Sequence, residues 1–343
     1  MAIDNIYRQK EIYFSSSNMY EILYWWQISL SYDFLWNKLE ADIFNFPEPL
    51  RFTNYLSAAT SIELDRFKAQ ISALGTFVSD KTKNTHGFSN RSVFSPAIYM
   101  SGNPFATPDF SLRAFVKQSF RMPTFNDLYY TEIGNADLKP ERVTQYNIGL
   151  LYQKSFSQLV RSVRGNGDIY YNRIKDKIIA YPKGQQFRWT MLNLGLVDIT
   201  GIELSTLITL SPFKAFFITL RGQYTFQRAI DVTSKSDSYY GHQIPYIPRH
   251  SGSVVVNADW KGWGLNYSWI YVGERYNQHE NIIYNYTQPW YTSDISLSKD
   301  LQIRNIGLRL LLEVNNLFSQ DYDVIINYPM PKRNYRFTIS FSI

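Results

Sequence analysis

The stretch Asn334–Ile343, NYRFTISFSI, alternates in polarity without a break. Tyr335, Phe337, Ile339, Phe341 and Ile343 are apolar, and Arg336, Thr338, Ser340 and Ser342 between them are polar. Successive side chains of a strand point to opposite faces, so these residues read as a strand with one apolar and one hydrated face. A bare apolar strand edge aggregates in water. In a membrane barrel the last strand pairs with a neighbour and turns its apolar face to lipid, which is the expectation set here.

The same alternation recurs upstream. Phe216, Ile218, Leu220, Tyr224 and Phe226 oppose Thr219, Arg221, Gln223 and Thr225; Leu265, Tyr267, Trp269 and Tyr271 oppose Asn266 and Ser268. Tyr291, Ile295 and Leu297 oppose Thr292, Asp294, Ser296 and Ser298, and Ile306, Leu308, Leu310, Leu312 and Val314 oppose Gly307, Arg309, Glu313 and Asn315. A slip of one residue would carry these charges into the apolar layer, so the register is well specified. About sixteen strands are expected, near 5–14, 24–35, 38–45, 55–65, 67–78, 91–101, 109–120, 142–153, 162–174, 197–210, 214–228, 250–260, 263–273, 290–299, 305–315 and 334–343.

The gaps alternate as well. Long ones fall at 79–90, 121–141, 175–196, 229–249, 274–289 and 316–333, and short ones at Asp65-Arg66, Ser211 to Phe213, Lys261-Gly262 and Asp300 to Arg304. Short turns at one end and long loops at the other are the pattern of an up-and-down transmembrane β-barrel. The fold class expected is therefore all-β and antiparallel, with residues 1–343 as one stretch of barrel domain.

Composition is compatible with this. Aromatic residues make up 17% of 343 residues, with 27 Tyr, 23 Phe and 8 Trp, and Tyr and Trp favour membrane–water interfaces. No run approaches the ~20 apolar residues that a spanning helix needs. Mean hydropathy is −0.29, as expected where half of each strand faces water, although a large soluble β protein has similar numbers. The absence of cysteine excludes disulfides, thiolate nucleophiles and Cys-based metal sites. The net charge of +6 is scattered, with Lys81, Lys83, Arg91, Lys332 and Arg333 in expected loops. This does not form the one-sided basic surface of a nucleic-acid binder; such loops could meet anionic lipopolysaccharide or an anionic ligand, and an ordinary solvated mixed surface reads from them at least as well. The start, MAIDNIYRQKEIYF, shows no export signal.

Residues Ser119 to Gly149 read SFRMPTFNDLYYTEIGNADLKPERVTQYNIG. This segment resembles a signature of TonB-dependent outer-membrane receptors, carried by Arg121, Pro123, Asn126, Leu128, Gly134, Asn135, Leu138, Lys139, Pro140 and Glu141. Further motifs follow in the family's order: the Tyr-Tyr-Asn element within Asp168 to Ile179, Gly201-Ile202-Glu203, Ile247-Pro248-Arg249-His250, and Asn315-Asn316-Leu317-Phe318 with Asp321-Tyr322. Met330-Pro331 with Arg333 is similar to a final motif in which Lys332 replaces the usual Gly. Ile343 departs from the family's usual aromatic ending, with Phe341 on the same face. The resemblance covers about the last 235 residues.

The resemblance implies active uptake of a scarce ligand across a Gram-negative outer membrane. That ligand would be a ferric siderophore, haem, cobalamin or a glycan, and the energy would be delivered by TonB to a plug that these residues do not include. The family barrel has 22 strands, so the chain reads as its C-terminal part. Pro123 and Pro140 are expected to stiffen a loop, and Gly134-Asn135 to supply positive φ for a turn. No enzyme, cofactor or resident metal site is expected. His86, His242, His250 and His279 are far apart, Gly165-Asn166-Gly167 precedes no helix, and Asp168, Glu203, Asp294 and Glu313 are expected to line the lumen. Ligand-binding candidates are Arg121, Tyr129, Tyr130, Tyr239, Tyr240, His242 and Tyr246, with Tyr284, Tyr286 and Tyr328, because rigid aromatics and Arg dominate binding surfaces. Girdle positions at the lipid interface are an equally good reading of any one of them. A passive pore, a non-functional fragment and a soluble β enzyme are the alternatives.

Overall fold

The computed structural model describes residues 5–83, 89–105, 107–131, 133–183 and 188–342. The strands are β1 (Tyr7–Leu23), β2 (Trp26–Ala41), β3 (Leu50–Leu64), β4 (Phe67–Lys81), β5 (Ser89–Gly102) and β6 (Phe110–Arg121). A one-turn helix, α1 (Phe125–Tyr129), precedes β7 (Glu141–Ser155), β8 (Val160–Lys183), β9 (Arg188–Leu210), β10 (Phe216–Asp231), β11 (His250–Trp260) and β12 (Trp263–Val272). Then come a short ribbon, β13 (Arg275–Tyr276) with β14 (Tyr286–Thr287), strands β15 (Trp290–Ile303) and β16 (Ile306–Asn315), a second ribbon, β17 (Asp323–Ile325) with β18 (Tyr328–Pro329), and β19 (Asn334–Ser342). Fifteen of these form one antiparallel sheet in which each strand pairs with its neighbour in the chain, ribbons aside.

The chain clusters into two compact units. One comprises Met1–Gly102, Arg113–Tyr146 and Asn172–Val197, and the other Asn103–Leu112, Asn147–Tyr171 and Asp198–Ile343. In the second unit the registers follow the polarity pattern. Leu308, Leu310, Leu312 and Val314 of β16 stand opposite Phe341, Ile339, Phe337 and Tyr335 of β19, and Glu313 stands opposite Arg336. The tight turn Lys261-Gly262 has both residues at positive φ, 49° and 77°, which matches a twisted two-residue hairpin.

In both units the burial is inside out relative to a soluble protein. In the first, Arg51, Thr53, Thr76, Ser95 and Glu141 are buried while Phe94, Ile71 and Leu56 are more than half exposed. In the second, Asp231, Gln243, Arg275 and Ser293 are buried while Phe341, Tyr335 and Phe337 are exposed. Contiguous exposed apolar surface on this scale marks a membrane or an interface.

Three expectations are corrected. Among the described residues the sheet has fifteen strands, because β2 runs unbroken through Asn37-Lys38, where two strands were expected, and 42–49 is a loop. Lys38 stays in the strand because it is paired on both sides, with Lys10 of β1 and Leu50 of β3. Residues 15–23 are strand, since Ser15, Ser17 and Met19 pair with Asp33, Ser31 and Ser29 through backbone bonds indifferent to side chain. The long loop expected at 175–196 is largely strand, with β8 and β9 reaching 24 and 23 residues. Ile343 lies outside the described residues.

Candidate functional site

The long-loop end of the first unit is organised by one buried cation. Arg51, at the start of β3, is 8% exposed and holds Asp80 of β4 with two parallel hydrogen bonds, Nε to Oδ1 at 2.6 Å and Nη2 to Oδ2 at 2.8 Å. Its Nη1 donates to the Pro123 carbonyl at 2.7 Å, and its guanidinium lies 5.1 Å from the centre of the Phe125 ring. A forked pair of this kind fixes direction as well as distance. It docks the segment leading into α1 on β3 and β4. Phe125 then joins Leu39 and Phe46 in an apolar cluster with Tyr7, Ile43 and Tyr129 around it.

α1 is short and needs its caps. The Thr124 hydroxyl accepts from Asp127 N, and the Asp127 carboxylate accepts from Thr124 N at 2.9 Å, a reciprocal capping box. The same carboxylate accepts from Arg121 Nη2 at 2.9 Å. Beyond the helix, Asn135 N donates to Asp127 O and its side chain to Met191 O. Asn193 accepts from Lys139 N and donates to Lys139 O and Asp176 O. Buried Glu141 accepts from Ile178 N at 2.9 Å. Gly134 is at ordinary φ, a further correction. The glycine is required by proximity, since a Cβ there would lie 2.7 Å from Tyr130 N and 2.8 Å from Leu128 C.

Two cavities flank Arg51. One, of about 390 Å³, is lined by Gln9, Glu11, Asn37, Tyr55, Arg121 and Phe125; the other, of about 400 Å³, by Asp80, Lys81, Arg91, Met122, Tyr129 and Leu138. Burial raises the Tyr129 hydroxyl pKa, with the Asp80 carboxylate adding to it, so Tyr129 remains a neutral donor. Tyr130 stacks on Tyr7 with centres 4.4 Å apart.

In the second unit the hub is a neutral amide. Gln243 is 2% exposed. Its Oε1 accepts from Ala229 N, its Nε2 donates to Gln227 O and Ile247 O, and its backbone N donates to Asn281 Oδ1 at 2.6 Å. Asn281 N donates to His242 Nδ1 at 3.3 Å, and His279 stacks on Tyr239 at 5.2 Å. Tyr246, at φ 60°, donates its N–H to Tyr276 O. Arg275, 3% exposed, gives Nη2 to the carbonyls of Asp323 and Val324 and Nη1 to that of Gln288. Burial lowers the pKa of the Arg275 guanidinium and that of the His279 imidazole.

The motif residues near Asn315 act alike. Asn316, at φ 49°, donates to Gln320 O and Pro331 O and accepts from Gln320 N. Asn315 bonds Asn334. Arg333 is exposed.

The structure thus gathers Tyr239, His242 and Tyr246 with His279 in one loop cluster of the second unit, and Arg121, Tyr129 and Tyr130 in one cluster of the first. Tyr240, Tyr284 and Tyr328 stand exposed at 39%, 89% and 48%. Tyr286 donates to Glu274. His250 sits on β11 against Tyr224, and His86 lies outside the described residues. Of the carboxylates, Glu313 pairs with Arg336 across the ladder and Asp294 accepts from Asn316 N. Among the described residues no three His, Cys, Asp or Glu side chains converge to hold a metal. Arg51, Asp80, Asn193, Gln243, Arg275 and Asn281 were not anticipated. Each is a single polar residue with no periodic signal, and only its partners give it meaning.

A family model described as TonB dependent receptor-like, beta-barrel matches residues 10–317. The chain is 28% identical over 246 residues to the vitamin B12 transporter BtuB of Photobacterium profundum, covering 68% of this chain and 36% of that protein. The solved structure of the copper transporter OprC superimposes with a TM-score of 0.76 at 13% identity, over 98% of this chain and 56% of that one. BauA, the ferric preacinetobactin receptor from Acinetobacter baumannii, does so with a TM-score of 0.70 at 14% identity, over 98% and 54%. At these identities the structural matches speak for the fold alone. The chain spans about a third of the length of the curated relative and just over half of the solved chains.

Proposed function

The chain belongs to the family of TonB-dependent receptor-like β-barrels, and we propose that it is the C-terminal portion of the barrel of an outer-membrane receptor that actively takes up a scarce metal-bearing ligand. The observation that carries this reading is the family match over residues 10–317. The proteins it is compared with are described as transporting vitamin B12 and copper and as a ferric preacinetobactin receptor. The metal-bearing class is carried over from the vitamin B12 relative, while the two solved structures bear on the fold.

The geometry supports a binding role for the long-loop end of each unit. Loops that touch ligand must be positioned by a rigid scaffold, and here α1 and both ribbons are clamped by buried polar hubs. In the second unit exposed Tyr240, Tyr284 and Tyr328 would supply flat apolar contacts; in the first, taken by itself, Arg121 and Tyr129 would supply polar ones. On this reading the exposed apolar face meets lipid, and energy comes from TonB through a plug outside these residues.

In the native host, removal of this reading frame should abolish uptake of one labelled ligand among cobalamin and ferric or cupric chelates, and inactivation of TonB should abolish the same uptake. Unchanged uptake of every such ligand would overturn the reading. Uptake that persisted without TonB would favour passive passage instead.

A further inference from the structure

We propose that a basic groove on the exposed face of the first unit binds the phosphate headgroup of an anionic outer-leaflet glycolipid, with Arg142 and Lys175 as its principal ligands. The proposal rests on the reading that this face meets an outer membrane.

The groove has a volume of about 330 Å³, and its lining includes Phe94 of β5, Gln118 of β6, Arg142 and Thr144 of β7, and Arg173 and Lys175 of β8. Two adjacent strands thus bring three cations to one concavity that no carboxylate lines. Among the described residues the side chains of Arg142 and Lys175 have neither an ion pair nor a hydrogen-bond partner. Arg142 and Lys175 are therefore not consumed by the fold.

Strand parity decides which face this is. On β7, Arg142 and Thr144 share a face with exposed Tyr146, while Glu141 on the opposite face is buried. On β8, Arg173 and Lys175 flank Ile174, which is 5% exposed and points the other way. The cations therefore sit on the face that carries exposed Phe94, Ile98 and Met100 of β5, Val116 of β6 and Tyr146 of β7.

Height along the strands then names the ligand. At about 3.3 Å per residue, Arg142 lies about 13 Å beyond Tyr146, toward the long-loop end. Gln118 lies about 7 Å beyond Val116 in the same direction. A tyrosine level followed by a cationic level is the sequence of environments from interface to headgroup. Guanidinium and ammonium donors with a hydroxyl and an amide suit a phosphate monoester, which the Arg fork grips and the Lys neutralises. A soluble anion would have no use for the apolar wall that Phe94 contributes, whereas an acyl-linked headgroup does.

The test uses the intact receptor purified in detergent, with lipid A as the probe. Charge-neutral Arg142→Gln with Lys175→Gln should lower lipid A retention at least about tenfold, since two charge-assisted contacts are lost. Charge-preserving Arg142→Lys with Lys175→Arg should restore most of it, and Lys235→Gln with Arg333→Gln, which removes two loop charges, should change it less than about twofold. Unchanged retention in the neutral pair would overturn the proposal. So would displacement of lipid A by an excess of inorganic phosphate, which would mark a free-anion site. Flotation of the unmodified receptor with outer-membrane vesicles separates the two readings. If it does not float, the membrane assignment fails; if it floats while the neutral pair keeps its lipid A, the groove alone is refuted.

Discussion

The two loop clusters solve one problem with opposite chemistry. In the first unit, the segment around α1 is held by Arg51, a buried cation forked onto Asp80 and bonded to the Pro123 carbonyl. In the second, the loops around Tyr239 and Tyr246 are held by Gln243 and Asn281, neutral amides that bond backbone groups and each other. A charged hub is directional and leaves a buried charge if one partner is removed. An amide hub spreads its hold over several weaker bonds and loses them one at a time. The charged hub is flanked by two cavities. It is therefore the hub whose loss would most disturb a binding surface.

The largest expected effect is at that charged hub. Asp80→Ala strands the Arg51 guanidinium and should cost about 4 kcal/mol, read as a fall in the thermal unfolding midpoint of the detergent-solubilised receptor. Arg51→Met with Asp80→Leu should recover most of that loss, and failure to recover would mean the pair serves more than stability. Next is Gln243→Ala, which leaves Ala229 N and two carbonyls without the amide. The same assay should report a loss of roughly 3 kcal/mol. A loss larger than that of Asp80→Ala would reverse the ranking of the two hubs.

Gly134→Ala should cost about 2 kcal/mol, because the methyl group is forced against the backbone of Leu128 to Tyr130. Protease cleavage within 125–139 should rise with it, while cleavage near Gln243 should not. A smaller effect concerns pH. Burial holds the pKa of the His279 imidazole below its ordinary value. The folded chain then binds that proton less tightly than the unfolded chain does. The contribution is complete above a pH of about 6.5 and is lost as pH falls through the folded value. His279→Phe keeps a ring against Tyr239 and should flatten that acid-side slope. A slope unchanged by the substitution would assign it to another group. Finally, Tyr284→Ala, at an 89% exposed position, should alter stability by less than about 0.5 kcal/mol while weakening ligand retention. Unaltered retention would remove Tyr284 from the binding surface.

Strand identity was legible wherever one face was continuously apolar. β10 to β12, β15, β16 and β19 fall where alternation places them, since a shift of one residue would exchange the two faces. It failed where polarity was uniform. Ser15-Ser16-Ser17-Asn18 has the composition of a turn, yet it lies in β1, because β2 offers a full ladder of backbone partners. The motif Arg121 to Glu141 was legible as loop chemistry, although its glycine serves close packing and not positive φ. Of the candidate ligand residues, the sequence showed their type but not which were consumed by stacking, as Tyr130 is on Tyr7.

The antiparallel ladder, the tight turns and the family could all be read along the chain, because period-2 polarity and short ordered motifs are local properties. Which polar residues became hubs and which cations stayed unpaired emerged only on folding. Arg51 and Arg142 look alike in the sequence. One meets Asp80, 29 residues away, and the other meets no carboxylate among the described residues. That difference is set by strand pairing at long range, where electrostatic partners depend on position in space and not on neighbours in the chain.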